Sequence, residues 1–176
     1  MRRPGRQAGP VTGTTHRYDT ALAWNGSTGA GYDAYDRSHR IGATGPPAAL
    51  DLSADPGFLG DPGRWNPEQL VIAAASSCQL LSFLAVAARA RLDVVAYRDD
   101  AAGEMPEDDP PMRLVRIVLR PAIVLADTGR PRPTADRLAH LVEVAHRECF
   151  IANSLRTEVV VEPTFTWAED PPADPT

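Results

Sequence analysis

The sequence predicts an α+β fold with a mainly antiparallel sheet, in the order β-β-β-α-β-β-α-β. Strand-like and helix-like segments come in groups instead of alternating, which favours α+β over parallel βαβ repeats. A long segment between Glu68 and Arg89 holds no charged residue and opens with helix-start signals. Further on, Leu114, Arg116, Val118 and Arg120 alternate with the apolar Val115, Ile117 and Leu119, the period of a half-exposed strand. The 176 residues suit one domain with a proper core.

Residues 1–14 have no periodicity and read as a disordered N-terminal arm. The single domain is expected over 15–168. Its first strand lies in "THRYDTALAW" and ends at the turn signal "NGSTG", with Tyr32 to Tyr35 strand-like beyond it, a hairpin pattern. Pro47 to Ser53 is a third short strand. The following stretch is dense in Gly, Pro and Asp, a loop by composition. Asn66 is a good N-cap, Pro67 suits the first helical position, and Glu68 complements the positive end of the helix dipole. This helix runs to about Arg91. Its "AAASS" stretch carries small side chains that let another backbone approach closely. Residues 69–88 make 20 positions, enough to cross a bilayer, but six are alanine and Gln69, Ser76, Ser77, Gln79 and Ser82 are polar. With only eight Leu, Ile, Val or Phe, the segment reads as a buried central helix, not a membrane span.

"LDVVAYRDDAAGEM" reads as a strand with an acidic turn, and "PPMRLVRIVLRPAIVLAD" as a strong β run. A second helix starts near Thr134. Leu138, Leu141, Val142, Ala145 and Cys149 fall on one apolar stripe, which places Cys149 on the core-facing side of that helix. "EVVVEPTFTW" is the final strand, and residues 169–176 read as a disordered acidic tail.

The formal net charge of −5 argues against a general nucleic-acid binder, which needs a basic face to neutralise phosphates. Arg2, Arg3 and Arg6 are followed by no apolar stretch, so no secretory signal is expected and a cytoplasmic location is. There, stable disulfides are rare. Two cysteines, Cys78 and Cys149, stand 71 residues apart, with no C-x-x-C and no zinc-type spacing. The residues alone leave two readings open: packing cysteines, which behave as small hydrophobes, or a redox pair that cycles. His146, one turn before Cys149, is a candidate to lower a thiol pKa or an ordinary helix histidine.

"NPEQLVIAAASSCQLL" resembles the "NPE-x-L … C" signature of the OsmC/Ohr family of thiol-dependent hydroperoxide reductases, and "AHRECFIANSL" resembles the family's second-cysteine segment. The likeness runs from about Trp24 to Pro163. "GYDAYDRSH", "LSADPGFLGD", "VVAYRDDAAGEM" and "CFIANSL" are similar to the OsmC-like branch. The resemblance implies an intertwined homodimer with a long central helix packed against curved sheets. It matches Cys78 to the peroxidatic cysteine, Cys149 to the resolving one, and Glu68 to the glutamate that pairs with an arginine to hold the thiolate. By position in the motif that arginine is Arg37, with Arg17, Arg40 and Arg64 as alternatives. Gln79 stands where relatives more often carry histidine or an aromatic residue.

The implied reaction is reduction of a small apolar hydroperoxide, with an external thiol reductant that is lipoyl-linked in the Ohr branch, and with no metal, haem or flavin cofactor. Phe83, Leu81 and Trp65 are expected to give the pocket its apolar character. The alternative is a non-catalytic dimer of the same fold that binds apolar ligands or has idle thiols. Geometry adds one constraint. Glu68 precedes Cys78 by ten residues, about 15 Å along one helix. The two cannot touch within it, so the arginine spans the gap or Glu68 comes from the other subunit.

Overall fold

The computed structural model describes residues 15–26 and 31–168. The expected arm (1–14), the expected tail (169–176) and most of the "NGSTG" turn lie outside the described residues. The architecture is α+β, as the sequence predicts. Three antiparallel strands, β1 (Thr20–Ala23), β2 (His39–Ala43) and β3 (Leu50–Leu52), form an N-terminal sheet in the order β1-β2-β3. The predicted strand character at Tyr32–Tyr35 is not realised. That segment forms turns, with the Ala34 N–H donating to the Gly31 carbonyl, and β2 begins only at His39. The two tyrosine rings are held instead against the Arg37 guanidinium, 4.8 and 4.1 Å from it.

The loop after β3 is stitched to the helix that follows. Ser53 donates its N–H to the Trp65 carbonyl, and its buried hydroxyl accepts from Asp61 N–H. Gly60 is the one residue that fits where it stands, because a Cβ there would meet the Ala54 carbonyl oxygen at 1.7 Å. Helix α1 (Pro67–Arg89) then starts as expected. The Asn66 side chain accepts the Gln69 N–H at 2.8 Å, and the Gln69 side chain accepts the Asn66 N–H at 3.1 Å, a reciprocal capping box.

The three C-terminal β runs each bend once. The first splits into β4 (Val94–Asp99) and β5 (Ala102–Glu104), the second into β6 (Arg116–Leu119) and β7 (Pro121–Leu125), and the last into β8 (Glu158–Val161) and β9 (Thr164–Trp167). Two sheets result, in the orders β4-β7-β9 and β5-β6-β8. The sequence predicts one strand for each run; the breaks fall at Arg120–Pro121 and Glu162–Pro163, where proline removes a ladder donor. Asp99 holds the bend. Its carboxylate accepts Arg120 N–H at 2.7 Å and the Ser76 hydroxyl at 2.5 Å. β6 and β7 pair antiparallel with β5 and β4, and parallel with β8 and β9.

Helix α2 (Ala135–Arg147) and the short α3 (Phe150–Ser154) cross over to the parallel edge. Thr134 caps α2 as predicted, its hydroxyl accepting from Arg137 N–H. The core has two parts. Phe83, Val86 and Ala87 of α1 pack with Ile123, Leu125 and the α2 stripe of Leu138, Leu141, Val142 and Ala145, while Ala75 packs with Ile117 and Leu119. One stripe of α1 therefore spans both sheets. The helix is long and apolar enough to cross a membrane by length and composition, yet only this stripe is buried, not the full circumference that the sequence predicts. Leu81 and Leu84 face outward, 64% and 37% exposed.

Asn66 ties the cap to the loop, since its amide also donates to Asp55 at 3.2 Å. Asn66→Ala is expected to lower stability by about 1–2 kcal/mol. Urea unfolding should show this as a lower midpoint at unchanged slope.

Candidate active site

α1 carries Cys78 near its middle, half-buried and on a different face from Ser76 and Ile72. Cys149 is 1% exposed. Its surroundings differ from the prediction in one respect: it does not lie on α2. That helix ends at Arg147, and Cys149 sits in the break before α3, in an extended conformation. The break is well bonded. Cys149 N–H donates to the His146 carbonyl at 3.1 Å, and the Cys149 carbonyl accepts Asn153 N–H at 3.0 Å. The Asn153 amide donates to the Arg147 carbonyl. From α1, Ser82 and Arg89 reach across to Glu148, by hydrogen bond to its carbonyl and by an ion pair of 3.2 Å.

This arrangement brings the two thiols together, although 71 residues separate them. Both are free thiols, and they lie near enough for Cys78 to bear on the ionisation of Cys149. Burial pushes the Cys149 thiol above its ordinary pKa. The Ala152 N–H, at the start of α3, pulls the other way, and the hydrogen bond to Cys78 pushes up again, for a net rise. Cys149 thus holds its proton more firmly than a free thiol. The pair is asymmetric: one sulfur is partly open to solvent, and the other is shut in and protonated. Of two such thiols, the more open sulfur is the one a reagent meets first.

Among the expected supporting residues, Glu68 is half-buried at the start of α1 and has no hydrogen bond or ion pair among the described residues. It lies in shallow clefts with Met105, Met112 and Leu114. Arg37 does not meet Cys78 in the chain. Its guanidinium donates to the Tyr32 and Tyr35 carbonyls at 2.7 and 2.9 Å and stacks on both rings. It does share a small cavity with Pro67, which brings it to the same end of α1 as Glu68. Arg40 pairs loosely with Asp51, and Arg64 with Asp61. Of the three expected pocket residues, Phe83 is fully buried core and Leu81 faces outward. Trp65 lines a groove of about 500 Å³ with Arg64, Ile72, Ala73, Ser76 and Asp99. Cys78 is turned away from that groove. No group of three metal-ligating side chains occurs among the described residues.

Sequence reasoning missed the β4 side of the site. Tyr97 and Asp99, two apart on a strand, face inward, and Tyr97 packs at 6.3 Å from the Phe83 ring. The period of two in "VVAYRD" is the signal that places them on one face. Gln79, next to Cys78 in the chain, is 1% exposed on the α1 core stripe.

The raised Cys149 pKa has a consequence for stability. Below its ordinary value of 9.0 both folded and unfolded chains hold the proton, and the stability is independent of this group. Above it the unfolded chain loses the proton first, so stability falls as pH rises towards the folded value. Urea midpoints followed from about pH 8 to about pH 10.5 should decline less steeply for Cys149→Ser than for the wild type. Equal slopes would remove the assignment.

A family model described as OsmC-like protein matches residues 60–164. Among solved structures, an OsmC-like protein of unknown function from Vibrio cholerae O1 biovar eltor str. N16961 is 31% identical, covers 85% of this chain and 100% of its own, and superposes with a TM-score of 0.76. An organic hydroperoxide resistance protein from Elizabethkingia anophelis, with thiocyanate bound, is 19% identical over 87% of this chain and 97% of its own, TM-score 0.63. A hypothetical protein from Aquifex aeolicus VF5 is 13% identical over 88% and 100%, TM-score 0.64. The last two show likeness of fold. No curated protein matches the chain.

Proposed function

The chain belongs to the OsmC-like protein family, which includes organic hydroperoxide resistance proteins, and from that premise we propose that it reduces organic hydroperoxides through Cys78 and Cys149. The observation that carries this reading is that a half-buried thiol lies near enough to a buried one to help raise its pKa.

In the proposed cycle the Cys78 thiolate attacks the terminal oxygen of the hydroperoxide. The O–O bond breaks, the alkoxide takes up a proton and leaves as the alcohol, and Cys78 becomes a sulfenic acid. Cys149 then attacks the Cys78 sulfur. The S–O bond breaks, and the hydroxyl leaves with the Cys149 proton as water, so that a disulfide remains. An external dithiol restores both thiols by exchange and is itself oxidised. The apolar residues around α1 favour an alkyl over a hydrogen peroxide substrate, because alkyl groups gain from burial. We place this chemistry in the cytoplasm, where reductants keep thiols reduced.

We further propose that the working unit is a homodimer. The outward face of α1, with Leu81 and Leu84, is apolar surface that a second copy would cover. Glu68 lies too far along α1 to serve its own Cys78, and Arg37 stands at the same end of the helix. In this reading Arg37 and Glu68 together support the Cys78 thiolate of the partner copy, the arginine supplying charge and the carboxylate its orientation. The engagement of Arg37 by its own tyrosines favours the second reading, an OsmC-like dimer with idle thiols.

Thiol counting decides between them. One equivalent of cumene hydroperoxide should remove both thiols of the wild type, whereas Cys149→Ser should accumulate a dimedone-reactive sulfenic acid at Cys78. Thiols that stay reduced would overturn the peroxidase reading. For the cross-subunit site, Glu68→Ala and Cys78→Ser homodimers should each lose at least about tenfold in turnover. Mixed dimers of the two should regain part of it, and no recovery would place the support within one subunit.

A further inference from the structure

In a chain whose formal net charge is −5, arginines gather at the end of α1 that lies away from Glu68. A cavity of about 220 Å³ opens there between the terminus of α1, the loop from β7 to α2, and the start of α2. Arg91, Arg130, Arg132 and Arg137 all line it, and Asp93 is the carboxylate among its lining residues. Like charges that converge on one space repel, and a bound anion relieves that repulsion. Arg132 is held in place: its guanidinium stacks 4.5 Å over the Trp167 ring and pairs with Asp127 at 3.3 Å. The guanidinium groups of Arg91, Arg130 and Arg137 have no hydrogen bond or ion pair among the described residues.

The backbone at Arg91 points the same way. α1 ends in a Schellman arrangement, with Leu92 N–H donating to the Ala87 carbonyl at 2.9 Å and Arg91 N–H to the Ala88 carbonyl at 3.0 Å. This puts Arg91 in a left-handed conformation, φ 60°, which glycine adopts without steric penalty and a residue with a Cβ does not. The backbone already closes the helix end, so the side chain is not needed as a cap. What the arginine contributes there is a guanidinium in the wall of the cavity.

We propose that this cavity binds a small organic phosphate, its phosphate group held by Arg91, Arg130 and Arg137 and its organic part set against Leu125, Leu141 and Trp167. Guanidinium forks match phosphate oxygens two at a time. Four guanidiniums against the carboxylates of Asp93 and Asp127 leave a net charge of +2. That balances a phosphate monoester, which carries about −1.5 to −2 at pH 7. Leu125 and Leu141, 1% and 4% exposed, give the cavity an apolar floor. Its volume is below the about 300–1,000 Å³ of sites for drug-sized ligands, so the organic part is small. The site is separate from the thiols. Ala90, in its wall, lies twelve residues beyond Cys78, about 18 Å along the helix axis. It stands whether or not Cys78 reduces peroxides.

Calorimetric titration of the full chain at low salt tests this, with phenyl phosphate and inorganic phosphate as probes. Phenyl phosphate should bind saturably at one site, and its affinity should fall as salt is raised. Arg91→Gly and Arg130→Ala should each weaken binding at least about tenfold. Urea unfolding of Arg91→Gly should show a midpoint equal to or above the wild type, because glycine relieves the left-handed backbone; binding lost in that variant is then not folding lost. Inorganic phosphate should bind the same site more weakly, since it leaves the apolar floor uncovered. Equal affinity for the two probes would overturn the organic part of the assignment. A wild type that binds neither probe saturably, or binding that neither variant weakens, overturns the proposal.

Discussion

The structure depends on one packing constraint: a single straight helix must cover two sheets that bend away from each other. The α1 stripe of Ala75, Gln79, Phe83, Val86 and Ala87 meets β6 at one end and β7 with α2 at the other. Small residues allow the close approach, and the Asp99 carboxylate binds the bend to the helix through Ser76 and to the neighbouring strand through Arg120 N–H. Once α1 is laid across the bend, the middle of the helix is brought against the end of α2. That is where Cys78 and Cys149 meet.

The chemistry of the pair follows from their unequal burial. A buried thiol resists ionisation because its anion loses hydration. Cys149 bears that cost, whereas Cys78 stands on the half-open face of α1. The unequal burial of two like side chains follows from a helix surface and a helix break. The tie between the break and α1, through Ser82, Arg89 and Glu148, keeps the two sulfurs in register.

The proposed support for the thiolate lies at the start of α1. Arg37 and Glu68 share that end of the helix, about 15 Å from Cys78 along the axis. Arg37 is held between Tyr32 and Tyr35, and Glu68 has no partner among the described residues. The apolar outward face of α1 runs between the two ends. A homodimer that covers this face also closes the distance, so the proposed assembly and the proposed thiolate support are one hypothesis. OsmC-like membership gives the fold its context, and the exposed Leu81 gives the proposed dimer its physical motive.

By itself the sequence determined the α+β class, the cap at Asn66, the extent of α1, the cap at Thr134 and the burial of Cys149. These are local matters: capping, periodicity and the absence of charge act over a few residues, and the chain states them directly. The family likeness rested on short segments around each cysteine, which are equally local. Tertiary structure alone decided the rest. It turned three predicted strands into six, because a bend at Arg120 or Glu162 is set by which strand lies alongside, not by composition. It kept Tyr32 to Tyr35 out of a strand by giving their rings the Arg37 guanidinium to hold. It moved Cys149 off its helix, buried Gln79 on the core stripe of α1, and packed Tyr97 against Phe83. Each of these depends on contacts between residues distant in the chain, whose free energy appears only when the elements are packed together.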